Sequence, residues 1–144
     1  MSSYDLDTLY RQVIMDHYKN PRNRGELSGD TLCVNLNNPT CGDRVQVQMN
    51  VEDGKVTKAV FTGEGCSISM ASASMMTQAV KGLTVEDALK LSAFFSDMMQ
   101  GKAGDAGGLD LGDIEALSGV TKFPARIKCA TLAWKALEQG LYKG

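Results

Sequence analysis

The spacing of apolar residues along the chain predicts one helix, then three strands, then a run of helices. Asp5 and Asp7 open a segment whose apolar positions Leu6, Leu9, Tyr10, Val13 and Ile14, continued by His17, share one helical face. Asn20-Pro21-Arg22-Asn23-Arg24-Gly25 ends it, because proline disfavours helix at the residue before it. The pattern then changes to alternating and β-branched residues over Thr31–Leu36, Arg44–Val51 and Lys55–Thr62, and Glu52-Asp53-Gly54 between the last two is a hairpin signal. Ser67–Lys81, rich in Ala and Met, predicts a helix. Thr84-Val85-Glu86-Asp87 predicts the capped start of another that runs to about Gln100. Gly101–Gly108 holds four glycines and reads as a flexible loop, and Asp110–Leu117 as a short helix. Pro124 suits the first turn of a last helix that runs to about Gln139 and stops at Gly140. Strands and helices segregated in this way predict an α+β fold, a three-stranded antiparallel sheet with helices packed on it.

Composition narrows the picture. A chain of 144 residues, 43% hydrophobic and 22% charged, suits a single globular domain spanning 1–144. The net charge of −2 provides no long-range attraction for nucleic acid or an anionic membrane, so neither is expected as a partner. No stretch is long and apolar enough to cross a bilayer. The start has neither the basic end nor the apolar run of a signal peptide, and a cytoplasmic location is expected. Thiols stay reduced in that compartment, so the four cysteines are read as metal ligands, reactive thiols or packed side chains rather than disulfides.

Three of those cysteines sit in distinctive contexts. Cys41 and Asp43 are two apart in the turn Asn38-Pro39-Thr40-Cys41-Gly42-Asp43, and the glycine between them lets both side chains turn toward one point. Cys66 lies at a strand-to-helix junction, where unpaired N–H groups and the helix dipole favour the thiolate. Cys129 lies early in the last helix behind Arg126 and Lys128, whose charges favour the same form. Three thiolates and a carboxylate satisfy four-coordinate zinc, and soft sulfur ligands select zinc over magnesium or calcium. Such a site carries a charge of about −2 with the metal included, which Arg126 and Lys128 are placed to offset. There is no Cys-x-x-Cys pair, so spacing alone leaves both metal binding and simple burial of the thiols open.

Asn38–Asp43, Gly63-Glu64-Gly65-Cys66-Ser67-Ile68-Ser69-Met70-Ala71-Ser72-Ala73-Ser74 and Phe123-Pro124-Ala125-Arg126-Ile127-Lys128-Cys129-Ala130 resemble the three cysteine motifs of the NifU N-terminal/IscU-like family. The opening Leu9–Pro21 is similar to the start of that family, so the resemblance covers nearly the whole chain. Within the family the chain is similar to the branch found in Gram-positive bacteria. IscU-type scaffolds carry histidine immediately before the third motif cysteine, where this chain has Lys128, and the region from Ser96 to Leu117 looks like an insertion they lack. The resemblance implies an IscU/NifU-N-like fold with zinc held by Cys41, Asp43, Cys66 and Cys129. It also implies a sulfurtransferase role in iron–sulfur cluster assembly. Cys41 accepts persulfide sulfur from the cysteine desulfurase SufS, whose activity is thereby raised, and passes it to the SufBCD machinery. The resemblance further implies that a partner histidine replaces Cys41 on zinc, with Arg126 placed near that exchange. Two alternatives are a scaffold on which a nascent iron–sulfur cluster is assembled, and a binding module whose zinc is purely structural.

Other residues take plainer readings. Cys33, outside all motifs, is expected to pack as a small hydrophobe, and His17 to sit in the core or an interface rather than bind metal. Met70, Met75 and Met76 are expected to fill core, as are Met98, Met99, Phe94 and Phe95, and Trp134 to pack against the sheet.

Overall fold

In the computed structural model, which describes residues 3–29, 31–39, 42–102, 108, 109 and 111–143, the sheet is built around a two-residue turn. Asp53 (φ 51°) and Gly54 (φ 75°) both adopt left-handed backbone angles, as the type I′ turn that matches strand twist requires. The turn joins β2 (Asp43–Glu52) to β3 (Lys55–Glu64). The β1 strand (Leu32–Asn38) pairs with the other side of β2, so the sheet is antiparallel in the order β1-β2-β3. Around it lie α1 (Ser3–Lys19), α2 (Ser67–Val80), α3 (Val85–Met99), a 3-10 helix (Gly112–Lys122) and α4 (Pro124–Lys143). The architecture is the expected α+β arrangement.

Alternation along the strands decides what faces inward. Val34, Val45, Val47, Met49, Ala59 and Phe61 are buried on the face covered by α2 and α4. Cys33, Asn35 and Asn37 take the outward positions of β1. Cys33 is therefore exposed, contrary to the packed position expected of it, because its neighbour Val34 takes the core. Gln48 is buried on the outward face, where it exchanges two hydrogen bonds with the backbone of Leu27 as the chain crosses the sheet. The outer edge of β3 is closed by short pairings. Phe61 N–H donates to the Asn23 carbonyl (3.1 Å), and Val56 N–H to the Leu83 carbonyl (2.8 Å), so little of that edge is open to another chain.

Helix ends follow local chemistry. Thr84 caps α3 by accepting the Asp87 N–H at 3.0 Å. The predicted short helix over Asp110–Leu117 is instead a 3-10 helix over Gly112–Lys122. Its buried residues Ile114, Leu117 and Val120 recur every third position, and three residues per turn stack them on one face. The helix α4 does not stop at Gly140 but continues to Lys143. Gly140 is a packing glycine: a Cβ there would lie 2.6 Å from Met49 Cε and 3.4 Å from Val34 Cγ2, so α4 sits close on the sheet. Trp134 also departs from expectation. It stacks on Phe95 of α3, with centroids 4.6 Å apart, and its Nε1–H donates to Ser72 Oγ of α2 at 3.1 Å. The indole N–H needs an acceptor when buried, and a helix hydroxyl supplies one.

His17 is fully buried and joins three elements. Its Nδ1 lies 2.7 Å from Ser74 Oγ in α2, and its Nε2 lies 2.7 Å from Asp113 Oδ2 at the start of the 3-10 helix. An ionised carboxylate only accepts, so Nε2 carries a proton. Met70, Met75, Met76, Met99 and Phe95 are buried, while Phe94 and Met98 are half-buried.

Replacing Gly140 by valine drives new methyl groups into the end of the Met49 side chain and against Val34 Cγ2, and Met49 is fully buried with little room to give way. Overpacking of this kind costs about 1–3 kcal/mol, so Gly140→Val is expected to unfold at lower denaturant concentration. An unchanged midpoint would show that the end of the Met49 side chain swings clear of the added methyl groups.

Candidate metal centre

Three chain segments meet at one end of the sheet. Asp43 begins β2, Gly65 and Cys66 follow the end of β3 and lead into α2, and Cys129 lies in the second turn of α4. Asp43 is fully buried, and a buried carboxylate needs hydrogen-bond donors. Its Oδ1 accepts the Cys66 N–H at 2.9 Å, and its Oδ2 lies 4.0 Å from Cys66 Sγ. Gly65 makes this approach possible, since a Cβ there would lie 2.3 Å from Asp43 Oδ1. Cys66 is itself the N-cap of α2, its Sγ accepting the Ser69 N–H at 3.4 Å. That bond fixes the direction in which the sulfur points.

Cys129 is fully buried and is brought to Cys66 by a tie between α2 and α4. The Ser72 hydroxyl donates to the Ala130 carbonyl at 2.5 Å while accepting the Trp134 Nε1–H. One ligand atom from each of Asp43, Cys66 and Cys129 lies within 4.8 Å of the others. A tetrahedral zinc with bonds of about 2.3 Å to sulfur separates its ligands by about 3.7 Å. The three donors therefore need to close by only about 1 Å, within the reach of side-chain rotation. Two sulfurs and one carboxylate leave a fourth position, and the soft donors suit zinc. Cys41, the remaining expected ligand, lies outside the described residues, two positions before Asp43.

Arg126 stands over this cluster from the first turn of α4. Its guanidinium lies near both sulfurs, and negative charge on Cys66 and then Cys129 holds the group above its ordinary titration range. The residue is exposed, so the charge that balances the sulfurs also faces solvent. Lys128 is exposed on the same turn. Gly65 and Ser72, which set the approach of the donors, are not marked as positioning residues by any sequence periodicity. For Gly65 the one signal is its place immediately before a motif cysteine.

Residues 9–130 match the family model described as NifU-like N terminal domain. The chain is 68% identical over 139 residues to the zinc-dependent sulfurtransferase SufU of Bacillus subtilis, covering 96% of this chain and 93% of that protein. It is 47% identical over 141 residues to the iron–sulfur cluster assembly scaffold protein IscU of Streptococcus pyogenes, covering 98% and 87%. The crystal structure of FiSufU, a candidate SUF-system scaffold from Fervidobacterium islandicum, superposes with a TM-score of 0.86 at 33% identity, covering 93% and 97%. A small antiparallel sheet with helices packed on it is thus an architecture this chain shares with iron–sulfur cluster assembly proteins. The chain belongs to the NifU-like N-terminal, or IscU-like, family and falls in its SufU branch. No helix among the described residues is long and apolar enough to cross a membrane.

Gly65→Ala places a methyl group where the Asp43 carboxylate sits. The variant is expected to keep its far-UV circular dichroism while binding zinc about 10–100-fold more weakly, the range typical of lost ligand support. Unchanged zinc affinity in a competition titration would show that Asp43 does not depend on this gap.

Proposed function

We propose that this protein is a zinc-dependent sulfurtransferase, with Cys41, Asp43, Cys66 and Cys129 as the zinc ligands and Cys41 as the sulfur acceptor. The reading takes the whole chain, 1–144, as one working unit in the cytoplasm. The cysteine desulfurase SufS is the donor, its activity raised by the transfer, and the SufBCD machinery is the recipient. The observation that carries the reading is the convergence of Asp43, Cys66 and Cys129, with the positive charge of Arg126 close by. The Bacillus relative, 68% identical, supports it by its described activity.

When bound, zinc keeps its thiolate ligands deprotonated at neutral pH. The remaining roles belong to the chain. Asp43 is aimed by the Cys66 N–H, Cys66 is held by its capping bond, and Cys129 is fixed through Ser72 and Ala130. Arg126 offsets the accumulated negative charge and presents a guanidinium to solvent, where a second anionic sulfur arrives. In the transfer, the Cys41 thiolate attacks the terminal sulfur of the donor's persulfide. A sulfur–sulfur bond forms on Cys41 as the donor's bond breaks, the donor cysteine leaves as thiolate, and no net oxidation occurs. A recipient thiolate repeats the step and releases Cys41.

The scaffold reading is supported by the 47% identity to a Streptococcus protein described as a cluster scaffold and by the likeness to FiSufU, described as a candidate scaffold. Lys128 speaks against it, since IscU-type scaffolds carry a histidine at that place.

Anaerobically purified protein is expected to hold about one zinc per chain. Incubated with desulfurase and cysteine, it should gain the mass of one sulfur atom, a gain that Cys41→Ala loses. Iron with inorganic sulfide, and no gain on Cys41, would favour the scaffold. Arg126→Ala should load sulfur about tenfold more slowly, the equivalent of one charge-assisted hydrogen bond, with Arg126→Lys in between. Equal rates for the three proteins would remove Arg126 from the reaction.

A further inference from the structure

Among the described residues the large apolar side chains left exposed are Met15, Tyr18, Phe123 and Tyr142. Single exposed apolar residues are ordinary, but Phe123 is tied directly to the thiol cluster. Its carbonyl accepts the Arg126 N–H at 2.8 Å, and the same first turns of α4 carry Cys129, one of the clustered donors.

Helix capping does not account for an aromatic residue at this position, and packing covers only about half of it. The Phe123 side chain is not in the core, with 51% of the residue exposed. It also precedes α4, where a helix gains from Ser, Thr, Asp or Asn, whose side chains accept a first-turn N–H. The helices α2 and α3 follow that rule through Cys66 and Thr84. Phe123 has no acceptor to offer, so α4 begins without a side-chain cap from it. The backbone nevertheless holds the residue firmly. Its N–H donates to the Val120 carbonyl at 2.8 Å and its carbonyl is engaged by Arg126, pinning it between the 3-10 helix and α4. With the backbone already fixed, only the two side-chain torsions of the phenylalanine remain to be ordered on docking. Aromatic residues and arginine are enriched among the few residues that dominate binding energy at protein interfaces. Arg126 and Lys128, both exposed, flank it with positive charge.

We propose that Phe123 is the anchor by which the sulfur-donating protein docks over the thiol site. Its ring seats in an apolar pocket of the donor, and carboxylates around that pocket face Arg126 and Lys128. The inference rests on the sulfurtransferase reading. It adds a specific contact surface and the chemistry of the surface that fits it.

The test compares wild type, Phe123→Ser and Phe123→Leu as full-length, zinc-loaded proteins with two sulfur donors. With cysteine desulfurase and cysteine, the concentration of Phe123→Ser giving half-maximal loading should rise about tenfold or more, with Phe123→Leu recovering much of the loss. With glutathione persulfide, which needs no docking, all three should load Cys41 at the same rate. Zinc content should be unchanged, and Phe123→Ser should melt no lower than wild type, because serine supplies the missing cap. Unchanged half-maximal concentration with the desulfurase overturns the proposal. So does a loss of zinc, or equal losses with both donors, either of which would make Phe123 a structural residue. If wild type gains no sulfur on Cys41 from either donor, the sulfurtransferase reading fails first, and this inference falls with it.

Discussion

A carboxylate buried without contact with solvent has to be met by donors from its own chain. Asp43 is met by the N-terminus of α2, through the Cys66 N–H. The helix dipole there favours negative charge, and Arg126 reaches in from α4 to balance the sulfurs on either side. That single requirement brings the first residue of β2, the β3–α2 junction and the first turns of α4 to one place. Gly65 is the gap through which the meeting happens.

The helix α2 carries the consequences through the rest of the molecule. Every residue from Ser69 to Thr77 is buried, and most are small, so neighbouring elements come close. Two of its hydroxyls act as junctions. Ser72 bonds Trp134 and the carbonyl next to Cys129, while Ser74 meets His17 and also accepts the Arg22 N–H. His17 in turn holds Asp113 at the head of the 3-10 helix, which runs into Phe123 and α4. The helix that caps itself with Cys66 is therefore the one that sets where Cys129 and Arg126 stand. Buried hydroxyls and imidazoles whose hydrogen bonds are satisfied rigidify a core in a way that apolar packing does not.

Much of this was legible in the sequence where a local rule decides the outcome. Asp53-Gly54 is a type I′ turn by its chemistry alone, Thr84 is a cap by its spacing to Asp87, and the period of the strands separates the buried valines from their neighbours. The grouping of Asp43, Cys66 and Cys129 was reached through the motifs, since their separation along the chain carries no pattern that implies a shared point in space. The departures arise where two rules compete or where a partner is distant. Glycine at 140 reads locally as a helix stop, but the nearness of Met49 makes it a contact residue inside a longer helix. Trp134 reads as cover for a sheet, but its N–H needed an acceptor that Ser72 provides. The three-residue spacing of Ile114, Leu117 and Val120 was present in the sequence as the mark of a tighter helix. Cys33 was misplaced because a lone strand cysteine is compatible with either face, and only the register with β2 decides.

That register has a chemical consequence for handling the protein. Cys33 pairs with Gln48, five positions along β1 from the Asn38–Asp43 pair. At the rise of a strand this is about 16 Å from Asp43, and Cys33 projects from the opposite face of the sheet. It is too far away to attack a sulfur chain held in the cluster, so it cannot discharge such a chain internally as a disulfide. Its exposure directs its reactivity outward instead. In air, Cys33 can join two molecules without drawing on Asp43 or Cys129, so a dimer on a non-reducing gel is not by itself a sign that the metal centre has been lost.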